Sequence, residues 1–200
     1  MTQVGLFGGT FDPIHWGHLL VAESVRETLD LSKVVFVPAG QPWLKADQQV
    51  SPARHRLEMV KLAIADNPYF EASSIEVDRP GPSYSVDTVT SLRAEIGPEV
   101  GLSLIAGSDA LIDLPLWKEP IRLARLCRIV EISRPGVAPV EWQALEKAVA
   151  GISVNIDLVN VPQIDISSTD IRDRVRRGGS IRYRVPATVA DYIFKNQLYQ

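Results

Sequence analysis

The sequence predicts an α/β fold in which a doubly wound, mainly parallel sheet carries helices on both faces. Short apolar runs alternate along the chain with stretches whose apolar residues recur at helical spacing. The apolar runs are nearly continuous, as is typical of parallel strands that are covered on both faces. Two adjacent glycines follow the first run, where a strand would turn into a helix. Together these patterns predict strand–helix alternation, which is typical of this fold class.

The predicted strands are the apolar runs themselves. Four of them cover residues 4–7, 34–37, 102–106 and 128–132, and residues 71–77 form a less apolar candidate. In an open sheet of this class, ligands bind beyond the carboxyl ends of the strands. The residues that directly follow these runs are therefore the first place to look for chemistry.

Helices are predicted between and after the strands. Leu19, Ala22, Val25 and Leu29 recur at helical spacing after the glycine pair. A second helix begins at Ser51-Pro52, an N-cap followed by a first-turn proline. Further helices are predicted from about residue 86, over 140–150, over 168–177 before a glycine pair, and over 187–196.

Composition limits the classes of function. The chain has 200 residues, 46% hydrophobic and 22% charged, as in an ordinary globular protein. A net charge of −3 argues against a general nucleic-acid or membrane-surface binder. A single cysteine, Cys127, excludes an internal disulfide and favours the cytoplasm. No targeting segment or long apolar stretch is apparent, which also favours the cytoplasm. The length predicts one domain over 1–200, with a helical part from about 167.

The stretch from Gly8 to His18 is the strongest candidate for a ligand site. Its two glycines, Gly8 and Gly9, let the backbone approach a ligand closely, because they lack a Cβ. The helix that follows offers unpaired N–H groups at its start, which favour phosphate. Two of the three histidines in the chain, His15 and His18, lie in this stretch. The pattern therefore predicts binding of a phosphate-rich ligand.

Four segments together resemble a known family. Residues 8–18 resemble the GGTFDPIHxGH motif of the nucleotidylyltransferase superfamily, and residues 166–172 resemble its ISSTxIR motif. Residues 83–88 and 114–118, SYSVDT and LPLWK, are similar to the SYTxDT and LPxWK segments of one branch. That branch is the bacterial nicotinate-nucleotide adenylyltransferases. The match spans nearly the whole chain in the same order, and it implies a Rossmann-like nucleotidylyltransferase fold.

The resemblance implies transfer of AMP from ATP to nicotinate mononucleotide, with Mg²⁺ bound through the ATP phosphates. In that family's pattern His18 would stabilise the transition state, His15 would bind phosphate, and Arg172 would hold the outer phosphates. Lys45 would complete the catalytic group. The implied ATP contacts are Gly8, Gly9, Thr10, Phe11, His15, His18, Gly107, Asp109, Ile166, Ser167, Ser168, Thr169 and Arg172.

The same resemblance implies a site for the pyridine mononucleotide. Its ring would stack on Trp117, and its carboxylate would meet main-chain amides near Tyr84 and Ser85. Lys45, Asp87 and Thr88 complete the implied substrate contacts. Transfer between two phosphates needs donors and cations rather than a general base, because a phosphate monoester is largely dianionic at pH 7. The histidines, the lysine and the arginine meet that need.

One segment departs from the family. Where the family often has Pro-Pro-His-Lys, residues 41–45 read Gln-Pro-Trp-Leu-Lys, so the lysine remains and the histidine does not. The phosphate contact of that histidine is therefore absent or supplied elsewhere. Trp43 could instead lie over the site, in a loop of a length that is often functional.

Several other interpretations remain open from the sequence. They are an adenylyltransferase that prefers nicotinamide mononucleotide or phosphopantetheine, a non-catalytic nucleotide-binding protein, and a dinucleotide-binding oxidoreductase. The glycines do not form Gly-x-Gly-x-x-Gly, which counts against the last. Small-molecule substrates are expected, without nucleic acid or membrane partners, and a homo-oligomer is left open.

Three features are interpreted as structural rather than functional. Asp12 is expected to cap a turn, and His55, flanked by two arginines, is expected at the surface. The basic run beyond Arg172 is expected to form a solvated helix face and loop, which comprises Arg174, Arg176, Arg177, Arg182 and Arg184.

Overall fold

The fold is a single parallel sheet with helices on both faces. The computed structural model describes residues 2–43, 49–133, 140–148, 156–162 and 164–200. Six strands form the sheet in the order β3-β2-β1-β4-β5-β6, and every pair of neighbours is parallel. The strands are β1 (Gln3–Gly9), β2 (Lys33–Pro38), β3 (Phe70–Ala72), β4 (Gly101–Gly107), β5 (Arg128–Ile132) and β6 (Ile156–Val159). The predicted fold class is confirmed.

Helices connect the strands and cover the sheet. They are α1 (Trp16–Thr28), α2 (Ala53–Ile64), α3 (Ser85–Ile96), α4 (Ser108–Leu111), α5 (Pro120–Leu126), α6 (Trp142–Ala148), α7 (Ser168–Arg176) and α8 (Ala187–Lys195), with a 3₁₀ turn over Leu114–Leu116. Of the helix predicted over 140–150, the described residues contain Trp142–Ala148. The last two predicted helices each end one residue earlier than expected.

The strand predictions need two corrections. The candidate over 71–77 shrinks to Phe70–Ala72, because the chain turns away from the sheet after three residues. The last strand, Ile156–Val159, is absent from the prediction. It lies at the sheet edge beside β5, and Leu158 is 57% exposed. An edge strand needs no continuous apolar run, so the pattern that identifies the central strands fails there.

Two apolar clusters form the core, one on each face of the sheet. One contains Phe7 and Phe36 from the strands together with side chains of α1, α2, α7 and α8. The other contains Leu6 and Val35 with side chains of α3, α5 and α6. Neighbouring strand residues thus point to opposite faces, and both faces are buried, which explains the nearly unbroken apolar runs.

The order of the strands defines the place of the site. β1 lies between β2 and β4: the connection after β1 leads to β2 on one side, and the connection after β3 leads to β4 on the other, so the strand order reverses between the carboxyl ends of β1 and β4. This is the switch point at which such sheets bind ligands. Among the described residues, no helix has both the length and the apolar character needed to cross a bilayer.

Candidate active site

The loop after β1 carries the two predicted histidines on the start of α1. Their rings stack with centroids 3.7 Å apart and planes inclined by 30°. His15 is buried at 7% exposure, and His18 is half-buried. The backbone N–H of His15 donates to Nδ1 of His18 over 3.2 Å. Since Nδ1 accepts this bond in the neutral ring, the proton of His18 lies on Nε2, the nitrogen on the other side of the ring.

Two phenylalanine rings pack against the ring of His18. Its ring meets that of Phe11 edge-on at 5.1 Å and that of Phe7 at 6.2 Å. Phe11 is 2% exposed, so any contact with ATP would come from its backbone. Gly9 accommodates this ring, because a Cβ there would lie 2.8 Å from the Phe11 side chain. Gly8 is exposed at the end of the strand.

The start of α7 lies against the same loop. Arg172 donates from Nη1 to the carbonyl of Asp12 over 2.8 Å and from Nη2 to Oγ1 of Thr169 over 3.2 Å. Ser168 donates its hydroxyl proton to the carbonyl of Pro13 over 2.9 Å. These bonds join two segments that are about 160 residues apart in sequence. The structure therefore brings the first and last motifs together.

The remaining residues of the last motif shape the start of the helix. Ser167 is the N-cap, and its hydroxyl accepts from the N–H of Asp170 over 3.1 Å. Ile166 packs partly buried against the core. Ser167 and Thr169 are exposed, and the first amides of a helix have no acceptor within it. The first turn of α7 therefore presents N–H groups beside the loop that carries the histidines, as an anion site requires.

The carboxyl end of β4 forms another side of the site. Phe7 pairs with Ile105, so Gly9 and Gly107, two residues farther along each strand, end at the same edge of the sheet. Asp109 is exposed in the first turn of α4. Within the described residues, no group of three or more His, Cys, Asp or Glu side chains could hold a metal ion.

Glu131 holds the start of α4 in place from within the protein, and sequence reasoning missed this residue. Its side chain is 2% exposed and accepts from the hydroxyl of Ser108 over 2.7 Å and from Nε1 of Trp142 over 2.7 Å. The N–H of Val140 donates to the same carboxylate over 3.2 Å. Glu131 therefore anchors the residue next to Asp109, although a lone glutamate in an apolar strand gives no such signal in a sequence.

Several residues of the predicted pyridine site lie near the start of α3. Lys118 donates to both carboxylate oxygens of Asp87, at 2.9 and 3.1 Å, and its ammonium lies 5.0 Å from the centre of the Tyr84 ring. Trp43 approaches the same ring at 6.0 Å. Nε1 of Trp117 is buried and has no hydrogen-bond partner in the described part of the chain. Ser85 begins the helix, whose dipole and free amides favour an anion there.

Thr88 and Lys45 are the two remaining predicted contacts. Thr88 is 1% exposed, and its hydroxyl donates to Glu76 over 2.5 Å and accepts from Arg79 over 2.9 Å. Its side chain thus belongs to a buried network, and its contact with substrate stays a prediction. Lys45 lies outside the described residues.

Two structural interpretations of the sequence are wrong. Asp12 caps no turn: its carboxylate accepts from the N–H of Ser51 over 3.0 Å and from the hydroxyl of Tyr199 over 2.6 Å. His55 is half-buried rather than at the surface, and its Nδ1 lies 2.9 Å from the hydroxyl of Tyr192. All three partners are far away in sequence, so local patterns could not identify them.

The basic run follows the prediction more closely. Arg174 and Arg184 both pair with Asp170, at 2.9 and 2.8 Å, and Arg174 is the main reason that the pKa of this carboxyl lies below its usual range. Arg176 pairs with Asp173, and Arg177 and Arg182 are exposed. The run is therefore a solvated, ion-paired face.

Arg56 is the other residue that sequence reasoning missed. It is 1% exposed, and its guanidinium donates to the carbonyls of Ser51, Thr10 and Ala39. Burial lowers the pKa of this guanidinium, and the nearby Asp12 carboxylate acts in the opposite direction. Arg56 therefore joins the loops that follow β1 and β2 beneath the site.

Comparison with known proteins agrees with this geometry. Residues 6–174 match the cytidylyltransferase-like family model. A probable nicotinate-nucleotide adenylyltransferase of Roseiflexus sp. is 49% identical over 197 residues, which is 98% of each chain. A probable nicotinate-nucleotide adenylyltransferase of Thermomicrobium roseum is 46% identical over 200 residues, covering 100% of this chain and 92% of its own.

A solved structure supports the same fold. The nicotinic acid mononucleotide adenylyltransferase of Plasmodium falciparum, complexed with NaAD, superposes with a TM-score of 0.80 and 20% identity, over 100% of this chain and 98% of its own. At that identity the likeness speaks for the fold alone. From the family model and the two sequence relatives together, the chain belongs to the nicotinate-nucleotide adenylyltransferases of the cytidylyltransferase-like family.

Proposed function

We propose that this protein transfers the adenylyl group of ATP to nicotinate mononucleotide, giving nicotinate adenine dinucleotide and pyrophosphate. The observation that carries the proposal is the stacked pair His15 and His18 beside the start of α7, since a site for two polyanions needs such convergent donors. Membership of the family supplies the substrates.

In the proposed reaction an oxygen of the nucleotide 5′-phosphate attacks the α-phosphorus of ATP. The bond from that phosphorus to the bridging oxygen breaks, and pyrophosphate leaves with the bond electrons. No side chain needs to remove a proton, because the attacking phosphate is already largely dianionic. The protein therefore contributes position and charge stabilisation.

His18 is the group that we assign to the α-phosphate. Its Nδ1 accepts from the backbone of His15, so the ring would donate to a ligand from Nε2. His15 would bind a neighbouring phosphate oxygen. Arg172, Ser167, Ser168 and Thr169 would hold the β- and γ-phosphates at the start of α7, and Lys45 would add a further positive charge. The backbone of Gly8 to Phe11 would line the α-phosphate, with Gly107 and Asp109 toward the ribose.

A magnesium ion fits this site as a companion of ATP. Phosphate oxygens and water would supply most ligands of the ion, and the exposed Asp109 in the first turn of α4 would offer a carboxylate oxygen. When bound, the ion would neutralise charge on the departing pyrophosphate.

The geometry around α3 favours the acid over the amide. The carboxylate of nicotinate would face the amides of Tyr84 and Ser85 at the positive end of the helix. Asp87 lies in that first turn and would repel it, but Lys118 pairs with Asp87 over 2.9 Å. This pairing leaves the helix end attractive to an anion. Trp117 would stack on the pyridine ring, and Trp43 would cover it.

The test is a comparison of substrates. Pyrophosphate release from ATP and Mg²⁺ would be measured with nicotinate mononucleotide, nicotinamide mononucleotide and phosphopantetheine at equal concentration, with His18→Ala as the control for contaminating activity. We expect strong preference for the nicotinate substrate and loss of activity in the variant. Preference for another acceptor would overturn the substrate assignment. If none of the three acceptors led to pyrophosphate release, the assignment as an enzyme would be wrong.

A cytoplasmic location also stays a proposal, supported by the single, buried Cys127.

A further inference from the structure

The C-terminal tail, residues 196–200, reaches the loop that carries the histidines. The tail leaves α8 with two residues of positive φ, Gln197 at 51° and Tyr199 at 66°. The N–H of Leu198 donates back to the carbonyl of Ile193 over 3.0 Å, which turns the chain toward the core. Leu198 and Tyr199 then pack partly buried against the first apolar cluster. The end of the chain therefore has a defined path.

The hydroxyl of Tyr199 lies at the centre of a polar network. It donates to Oδ1 of Asp12 over 2.6 Å, while the N–H of Ser51 donates to Oδ2 over 3.0 Å. A distance of this kind is typical of a hydroxyl that donates to a carboxylate. The Asp12 side chain is 4% exposed, so water cannot readily replace either donor. Burial, followed by the charge of Asp12, raises the pKa of Tyr199, which keeps its proton for donation.

The backbone carbonyl of Asp12 contacts Arg172, one of the proposed ATP contacts. The carbonyl of Asp12 accepts from Arg172 over 2.8 Å, and the adjacent carbonyls of Thr10 and Pro13 accept from Arg56 and Ser168. The Tyr199 hydroxyl therefore holds the side chain of the same residue whose carbonyl accepts from Arg172. The tail thus acts on Arg172 through one residue, without itself lying among the proposed ligand contacts.

We propose that the C-terminal tail is a positioning element of the active site, in which the Tyr199 hydroxyl holds Asp12 so that its carbonyl orients Arg172 toward ATP. The inference rests on the proposed function for the identity of the ligand. Tyr199 is a positioning residue rather than a catalytic one. Its effect should therefore appear in the binding of ATP and not in that of the pyridine mononucleotide, which meets α3 instead.

The experiment compares two single-oxygen deletions in the whole protein. Tyr199→Phe removes the hydroxyl that contacts Asp12 and keeps the ring. Tyr192→Phe is the matched control, because it removes the hydroxyl near His55, on the α2–α8 interface. For each protein we would measure the Kd of α,β-methylene ATP by calorimetry, the KM values for both substrates, kcat, and Tm.

We expect Tyr199→Phe to raise the Kd of the analogue and the KM for ATP about tenfold, the effect of one hydrogen bond to a charged group. The KM for nicotinate mononucleotide should stay within about twofold, since no shared contact is lost. Tyr192→Phe should change neither KM. Deletion of residues 199–200 should reproduce the ATP effect, even where the loss of packing also lowers Tm.

Equal ATP affinity in the wild type and Tyr199→Phe would overturn the inference. So would an effect of the same size on both KM values, because that pattern indicates general loss of structure. Failure of the proposed function looks different: the wild type would then transfer no adenylyl group to nicotinate mononucleotide. The calorimetric comparison of the two variants would still decide the role of the tail.

Discussion

A single glycine sets the distance between the two histidines. A Cβ at Gly17 would lie 3.1 Å from Cε1 and Nδ1 of His15, which is closer than ordinary van der Waals contact. Gly17→Ala should therefore push the His15 ring by a few tenths of an ångström, while alanine favours α1 by about 1 kcal/mol. We expect unchanged or higher Tm and roughly tenfold lower kcat/KM, because small misplacements at a reacting centre are costly.

The control for Gly17→Ala is Ser24→Ala on the same helix. This change also raises helix propensity, but it lies two turns farther along α1, away from His15. It should raise Tm slightly and leave activity unaltered. If Gly17→Ala kept full activity, the His15 ring would have room to move, and its position would not limit the rate.

The buried thiol of Cys127 is expected to make the free energy of unfolding fall at alkaline pH. Burial raises the pKa of its thiol to about 12. The unfolded chain ionises the thiol above about pH 8.5, whereas the folded protein keeps the proton, so stability falls as pH rises from there toward 12. Between pH 8 and 10 we expect the wild type to lose about 2 kcal/mol more unfolding free energy than Cys127→Ala.

Urea titrations of both proteins at the two pH values would measure that difference. In parallel, the folded thiol should react slowly with iodoacetamide at pH 8 and rapidly in urea, since only the thiolate is nucleophilic. Parallel pH profiles of the two proteins would contradict the assigned burial effect. So would rapid labelling of the folded protein.

Helix α2 is connected to the site by one buried side chain. The four carbonyls that Arg56 satisfies lie in the loops after β1 and β2, and directly before α2. Lysine has one compact ammonium and cannot match a planar fork of donors. Arg56→Lys should therefore lower the free energy of unfolding by about 3 kcal/mol, because buried carbonyls lose their partners.

Arg54→Lys is the matched control, two residues earlier on α2. Its side chain is 81% exposed and pairs with Asp78, so lysine can replace it at little cost. Urea denaturation of the three proteins gives the comparison. Equal stability of Arg56→Lys and the wild type would mean that water can satisfy the carbonyls that arginine holds.

Elements differ in how far the sequence could predict them. The central strands were predictable, because burial on both faces leaves a run such as residues 34–37 entirely apolar. The edge strand Ile156–Val159 carries exposed and half-buried residues and lacks that signal. The short helices α4 and α5 also escaped prediction, because four and seven residues give too few turns for a helical period.

The residues of the site also differ in how far the sequence could predict them. Local motifs identified His15, His18 and the start of α7, since each motif is a continuous stretch whose physics is that of a loop and a helix end. Arg56, Glu131 and Tyr199 act through partners that are 5 to 187 residues away. Such pairings depend on the completed fold, and a single sequence gives no local pattern for them.

At the scale of the whole molecule, the site draws on both ends of the chain. Asp12 near the start contacts Arg172 and Tyr199 near the end. A ligand that bridges these segments binds only the folded protein, so it should stabilise the molecule as a unit. ATP with Mg²⁺ at one hundred times its Kd should add about 2.7 kcal/mol to the free energy of unfolding.

Calorimetric unfolding with and without ATP would measure this gain as a single shifted transition. Arg172→Gln should lose most of the shift, because the segment that contains it would no longer hold the phosphates. A second, unshifted transition would show that ATP stabilises only one part of the chain. In that case the C-terminal helices, which share the first apolar cluster with α1 and α2, would unfold independently of the ligand despite that shared packing.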